Sequence, residues 1–130
     1  MHSLKDAELI RTVALPAAGA SASTASIDLA ATTQTESHFE VEVVLPELDN
    51  LVEDKKVTVT LEDSADDVSF AAIVGLAPLE VTGGTGGGAS AASLRVRLPN
   101  SARRHLRATA DVEAAGGDNT AASVTLALIF

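Results

Sequence analysis

Apolar side chains recur at every second position in run after run of this sequence, a period that a β-strand satisfies by pointing successive residues to opposite faces. In His38-Phe39-Glu40-Val41-Glu42-Val43-Val44-Leu45, residues Phe39, Val41 and Val43 share one face while Glu40 and Glu42 face water, and Pro46 ends the run. Val57, Val59 and Leu61 alternate with Lys56, Thr58 and Thr60, the pattern of a half-exposed antiparallel strand. Leu94, Val96 and Leu98 alternate with Ser93, Arg95 and Arg97 until Pro99 stops the strand. Leu106, Ala108, Ala110 and Val112 repeat the pattern, and Val124, Leu126, Leu128 and Phe130 carry it to the last residue. Val68 to Val74 is more apolar and alternates less, so it reads as a strand buried on both sides, and Leu79 to Thr82 adds a short one.

Turn-forming clusters separate these runs: Pro46-Glu47-Leu48-Asp49-Asn50, Glu62 to Asp67, Pro99-Asn100-Ser101 and Gly116-Gly117-Asp118-Asn119. Six to eight short strands punctuated in this way predict an all-β domain, a β-sandwich or jelly roll. Helix is confined to a turn or two in Leu4 to Ala14 and one turn over Ser101 to Leu106, with Ser101 as N-cap. The Ala/Ser/Thr-rich stretch from Ala17 to Thr35 contains one strand-like island at Ser26 to Leu29. We therefore divide the chain into an extended N-terminal arm, 1–35, loosely held by the body, and a β-sandwich body, 36–130.

One core is the expectation for 130 residues. Apolar residues make up 46% of the chain, yet there are three Phe and no Trp or Tyr, so the core must be built from small aliphatic groups. No cysteine is present, which excludes disulfides and thiolate metal sites. So light a core, with apolar strands such as Val124 to Phe130 offering an edge to cover, predicts self-association into a dimer or trimer. The net charge of −9, from 18 acidic and 9 basic side chains, suits neither nucleic acid nor an anionic membrane as partner. Lys5, Asp6, Glu8 and Arg11 interrupt the apolar run a signal peptide needs, and no segment reaches the ~18 apolar residues of a membrane span, so the expectation is a soluble protein made without export.

The charges are segregated. From Glu36 to Asp67 there are eleven acidic residues against Lys55 and Lys56, whereas Arg95 to Arg107 holds five arginines and no acid. Such blocks pair two faces within one fold or between neighbouring molecules.

Motifs for chemistry are sparse. Gly84-Thr85-Gly86-Gly87-Gly88-Ala89 fits the dinucleotide fingerprint G-x-G-x-x-A, but that fingerprint works at the start of a helix and here a strand follows, so a flexible connection is the reading. Asp63, Asp66 and Asp67 offer carboxylates to an ion such as calcium but lack the spacing of a calcium loop, and read as a solvated acidic turn. His2, His38 and His105 are far apart, and no G-x-S-x-G elbow occurs. Sugar-cleaving carboxylates would lack aromatic platforms. We expect no enzymatic activity and no cofactor.

Two segments resemble the jelly-roll cement, or decoration, proteins on the heads of short-tailed bacteriophages. One runs from Asp6-Ala7 through the Ala/Ser/Thr stretch into Ser23-Thr24-Ala25-Ser26-Ile27-Asp28-Leu29. The other comprises Leu98-Pro99, a spacer, Arg104-His105-Leu106-Arg107, a strand, the turn Gly116-Gly117, Thr120-Ala121 and an apolar last strand. Together they cover about half the chain; the family usually has an aromatic where this chain has His105. The resemblance implies a structural virion protein, made in the host cytoplasm, that binds the outer surface of the capsid and bridges copies of the major capsid protein. It points to Arg103, Arg104 and Arg107 and to Ser23, Thr24 and Ile27 as lattice contacts. The alternatives are a solvated or intramolecularly paired surface cluster for the arginines and a disordered arm. Competing functions are a surface or secreted β-sandwich that binds glycan or protein, another virion part such as a tail or fibre module, and a hydrolase with a cryptic acidic site.

Overall fold

The computed structural model describes residues 5–29, 40–99 and 102–129. They form ten strands: β1 (Lys5–Ala14), β2 (Ser21–Ser23), β3 (Ile27–Asp28), β4 (Glu40–Leu45), β5 (Lys56–Ser64), β6 (Ala71–Ala72), β7 (Leu79–Thr82), β8 (Ala92–Arg97), β9 (His105–Val112) and β10 (Ser123–Ile129).

The pairing is nested. β1 pairs with β10, β2 and β3 with β9, β4 with β8, and β5 with β6 and β7, all antiparallel. The chain thus folds back on itself as one long doubled ribbon. Rolling that ribbon brings β10 against β4 and β9 against β5, which closes two sheets, β1-β10-β4-β8 and β2-β9-β5-β6, with β3 beside β9 and β7 beside β5. This is the connectivity of a jelly roll. The all-β sandwich expected from the alternation is the observed fold.

The inward positions are those that the period marks. Val41, Val43 and Leu45 from β4 and Val124, Leu126 and Leu128 from β10 meet Val57, Val59 and Leu61 from β5 and Leu106, Ala108, Ala110 and Val112 from β9. Each fully buried Leu or Val contributes about 1.5–3 kcal/mol relative to exposure, so aliphatic density replaces the missing aromatics. Leu48 and Leu51, between β4 and β5, and Leu15, after β1, plug the core from its ends.

Several local expectations differ from the structure. Leu4 to Ala14 is not helical: the described part is β1, an edge strand whose pairing with β10 is offset between Lys5 and Ile10. Such an irregularity protects an open edge from further pairing. The described part of 1–35 is extended, as expected, but it is hydrogen-bonded into both sheets as β1, β2 and β3 and is not loosely held. The 35/36 boundary, His38, Phe39, Ser101 and Phe130 lie outside the described residues. Ala102 to Arg104 are non-helical and lead directly into β9.

β10 is not an edge. It is paired on both sides, by β1 and β4, so the exposed margin that motivated self-association is absent there. Nor is 68–74 a doubly buried strand: only Ala71 and Ala72 pair, and Val68 and Val74 are 79% and 87% exposed.

The glycine connection is ordered rather than slack. Gly88 N–H donates to the Leu51 carbonyl at 2.7 Å, Gly84 N–H to Gly88 at 2.8 Å, and Ala89 exchanges two bonds with Leu48. Gly86, Gly87 and Gly88 all take positive φ, a backbone region that a side chain disfavours. At Gly83 a Cβ would collide with the Val52 carbonyl. Glycine here serves close approach and turn geometry.

Candidate functional site

The nested ribbon sets the acidic segment against the arginine segment. β4 and β5 carry the acids, β8 and β9 the arginines, and the register places Glu42 opposite Arg95, Glu40 opposite Arg97 and Glu62 opposite Arg107. The segregation read in the sequence therefore pairs strands of one molecule.

On the outer face of β9, residues of one parity, His105, Arg107 and Thr109, point away from the core. Arg107 Nε donates to Glu62 Oε1 at 2.8 Å, and its guanidinium lies 4.0 Å over the Phe70 ring. Thr109 Oγ1 donates to the same Glu62 oxygen at 2.7 Å. Because that hydroxyl has one proton, Ser23 Oγ must be the donor in its 2.7 Å bond to Thr109 Oγ1. A continuous polar chain, Ser23-Thr109-Glu62-Arg107, thus crosses the sheet and ends on an aromatic face. Each bond is charge-assisted or polarised by one that is.

The two remaining candidate arginines sit before β9. Arg103 grips Asp63 with its backbone and its guanidinium, and Arg104 makes a bidentate pair with Asp28 at 2.8 Å for both bonds. The Arg104 guanidinium is held more firmly protonated by its hydrogen bond to Asp28 and by the charge of that carboxylate. Arg104 remains 58% exposed, Arg103 43% and Arg107 30%. All three are engaged within the fold while keeping an outer edge in water.

The N-terminal candidates are placed differently. Ile27 is fully buried, and Thr24, 5% exposed, accepts the Ala108 N–H on Oγ1. Both hold β2 and β3 against β9, so in this fold their side chains face the interior, not a partner. Ser23 is half-buried within the polar chain described above. The structure brings Ser23 and Arg107 into one network and places Arg103 and Arg104 beside it.

The three aspartates do not converge. Asp63 is buried against Arg103, while Asp66 closes a turn by accepting the Ser64 hydroxyl and the N–H groups of Val68 and Ser69. Those contacts, the Ser69 N–H foremost, then the Val68 N–H and the Ser64 hydroxyl, lower the Asp66 carboxyl to about 2. Asp67 instead approaches His105 Nδ1 at 3.8 Å. Among the described residues no group of three His, Asp or Glu is placed to hold a metal.

No known protein family matches the chain, and no curated protein matches it in sequence. A solved structure does share the fold. It is the crystal structure of the PBSX exported protein XepA, with a TM-score of 0.56 and 16% identity. The match covers 98% of this chain and 36% of that one, so the chain spans about a third of that protein's length. At this identity the likeness speaks for the sandwich architecture alone.

Two features escaped the sequence. Residues 65–78, between β5 and β7, form a lobe that exposes Val68 and Val74; Gly75 at φ +92 marks the turn that throws Val74 outward. The loop Pro46 to Asn50 and the stretch Asn119 to Ser123 line an open cleft of about 450 Å³. Asn119 donates its amide to the Gly116 carbonyl at 3.2 Å, and its Oδ1 is enclosed without a partner.

Proposed function

We propose that this chain is a structural protein of a tailed-phage particle: a cement protein that seats on the outer surface of the head and bridges neighbouring capsid subunits. The observation that carries the reading is the jelly roll itself, built over the residues whose pattern resembles cement proteins. Arg104 to Arg107 enter β9 and the segment after Gly116-Gly117 becomes β10, the strands at the heart of the two sheets. The fold likeness to the PBSX exported protein XepA supports the sandwich architecture that this reading requires.

The physical logic is that of a clamp. The polar face is cross-linked within the molecule, which gives a rigid body, and a rigid body loses little freedom on docking. Many copies on a lattice bind through repeated modest contacts, whose combined affinity exceeds each alone. The partners in this reading are the major capsid protein and further copies of this chain, as dimer or trimer, without nucleic acid, membrane, cofactor or catalysis.

Purified protein added to assembled, expanded heads of the parent phage is expected to cosediment with them and raise the temperature at which they release DNA. Free capsid subunits and naked DNA should not bind. Heads that neither carry the protein nor gain stability from an excess of it would end this reading. A second reading, an exported β-sandwich binding module, draws on the similar structure, which is that of an exported protein. Recovery of the protein from cell-free supernatant, with none on purified particles, would favour it.

A further inference from the structure

The lobe 65–78 is apolar where a lone molecule has no use for it. Val68 and Val74 are 79% and 87% exposed, and Ala71, Ala72, Ala77 and Pro78 beside them also face water. Isolated exposed valines need no explanation, but six exposed apolar residues, Val68, Ala71, Ala72, Val74, Ala77 and Pro78, concentrated within residues 68–78 of one lobe mark a contact surface.

The exposure does not come from slack. Ile73, between the exposed residues, is 4% exposed and anchors in the core, and its N–H donates to the Leu61 carbonyl at 3.1 Å. β6 pairs with Glu62 and Asp63 of β5, and the Asp66 turn fixes the lobe's entry. Phe70 is stacked under Arg107. The lobe is a pre-formed shape held from beneath at four places, so its ordering cost is met before any partner arrives.

The charges around it specify the partner. The nearby cations are engaged: Arg103 with Asp63, Arg107 with Glu62 and Arg104 with Asp28. Asp66 and Asp67 stand at the border of the apolar stretch, both exposed, and the turn hydrogen bonds keep Asp66 ionised far below neutral pH. A second copy would bring the same carboxylates and another net charge of −9. Like charges at an interface border disfavour that encounter, whereas basic groups favour it.

We propose that residues 65–78 are the surface through which this protein docks, and that the occupant is an apolar protein patch bordered by lysine or arginine rather than another copy of this chain. Resting on the cement reading, that patch belongs to the assembled capsid shell.

The test uses full-length protein and assembled heads in a cosedimentation titration. Wild type should bind, and V68D/V74D should keep wild-type circular dichroism and melting yet lose at least about tenfold in affinity. D66N/D67N, which keeps an amide oxygen as acceptor for the turn, should bind more weakly and with a flatter salt dependence. Wild type failing to bind heads removes the cement reading and this docking assignment with it. Wild type and V68D/V74D binding alike leaves the cement reading standing and overturns the lobe as its surface. A dimer in analytical ultracentrifugation that V68D/V74D dissociates would make a second copy the occupant and overturn the proposal.

Discussion

Asp63 and Arg103 are joined by four hydrogen bonds: the Arg103 backbone N–H to Oδ2 at 2.9 Å, Nε and Nη2 to Oδ1 at 3.0 and 2.8 Å, and Nη2 to the Asp63 carbonyl at 2.9 Å. The carboxylate sits at an inward position near the end of β5 where an apolar residue continues the pattern elsewhere, and it is 6% exposed. An isolated charge there would be costly; the fork of Arg103 closes over it instead.

Removing the fork should therefore destabilise the fold even though the Arg103 side chain is itself 43% exposed. For R103A we expect a loss of about 1–3 kcal/mol, below the cost of breaking a fully buried pair because solvent screens the exposed side. D63A should lose a similar amount, and the double variant less than the sum. Urea unfolding of the four proteins checks the coupling.

Glycine substitutions should separate by position. G83A forces a methyl group into the Val52 carbonyl, so it should cost at least about 3 kcal/mol or abolish folding. G75A meets no neighbour and bears only the strain of its positive φ, a cost of about 1 kcal/mol. Thermal melts of the two variants make the comparison.

Arg107 couples the polar chain to the lobe. R107A should cost about 1 kcal/mol of global stability and, beyond that, speed proteolysis or amide exchange within 65–78, because Phe70 loses its cover and Glu62 its cation. R107K should not restore protection, since an ammonium lacks the planar fork that bonds and stacks at once. Equal exchange in wild type and R107A would show that the stack does not hold the lobe.

The Asp66 turn gives stability a defined acid dependence. Its carboxyl lies at about 2 in the fold against an ordinary 3.8, so the folded state binds the proton more weakly. The stabilisation is complete above about pH 4 and is lost as pH falls through about 2. Denaturant midpoints measured from pH 5 to pH 2 should fall more steeply for wild type than for D66N. Asp118, lowered in the same direction by the Thr120 hydroxyl and N–H, adds to the slope in both proteins.

Leu126 stands in β10, an inner strand of its four-stranded sheet, fully buried. L126A should cost about 2–5 kcal/mol by lost burial and a residual cavity. V74A should change melting little, because a side chain 87% exposed has almost no contacts to lose. A large loss from V74A would mean that the lobe is covered in the free protein.

The strands and their inward residues were legible because period-two alternation is a local property: Val57, Val59 and Leu61 had to share a face wherever β5 went. The all-β class and the aliphatic core followed from the residues alone, as did the turns at the prolines and glycines. What tertiary structure decided was every relation between distant segments. Lys5 to Ala14 has no strong period of its own and becomes a strand because β10 offers it a partner. Val124 to Ile129 reads the same as edge or centre, and only the rolled ribbon put strands on both sides of it. Val68 to Val74 is apolar enough for a core, yet β6 is two residues long and Gly75 turns Val74 outward, so hydrophobicity without alternation misplaced it. The charge blocks were visible as blocks; that Arg107 meets Glu62 and Arg103 meets Asp63 depended on the register of β5 against β9. Periodicity fixes which face a residue takes, because that needs only its neighbours in sequence. Pairing, burial and partner depend on contacts across tens of residues, which only the closed fold supplies.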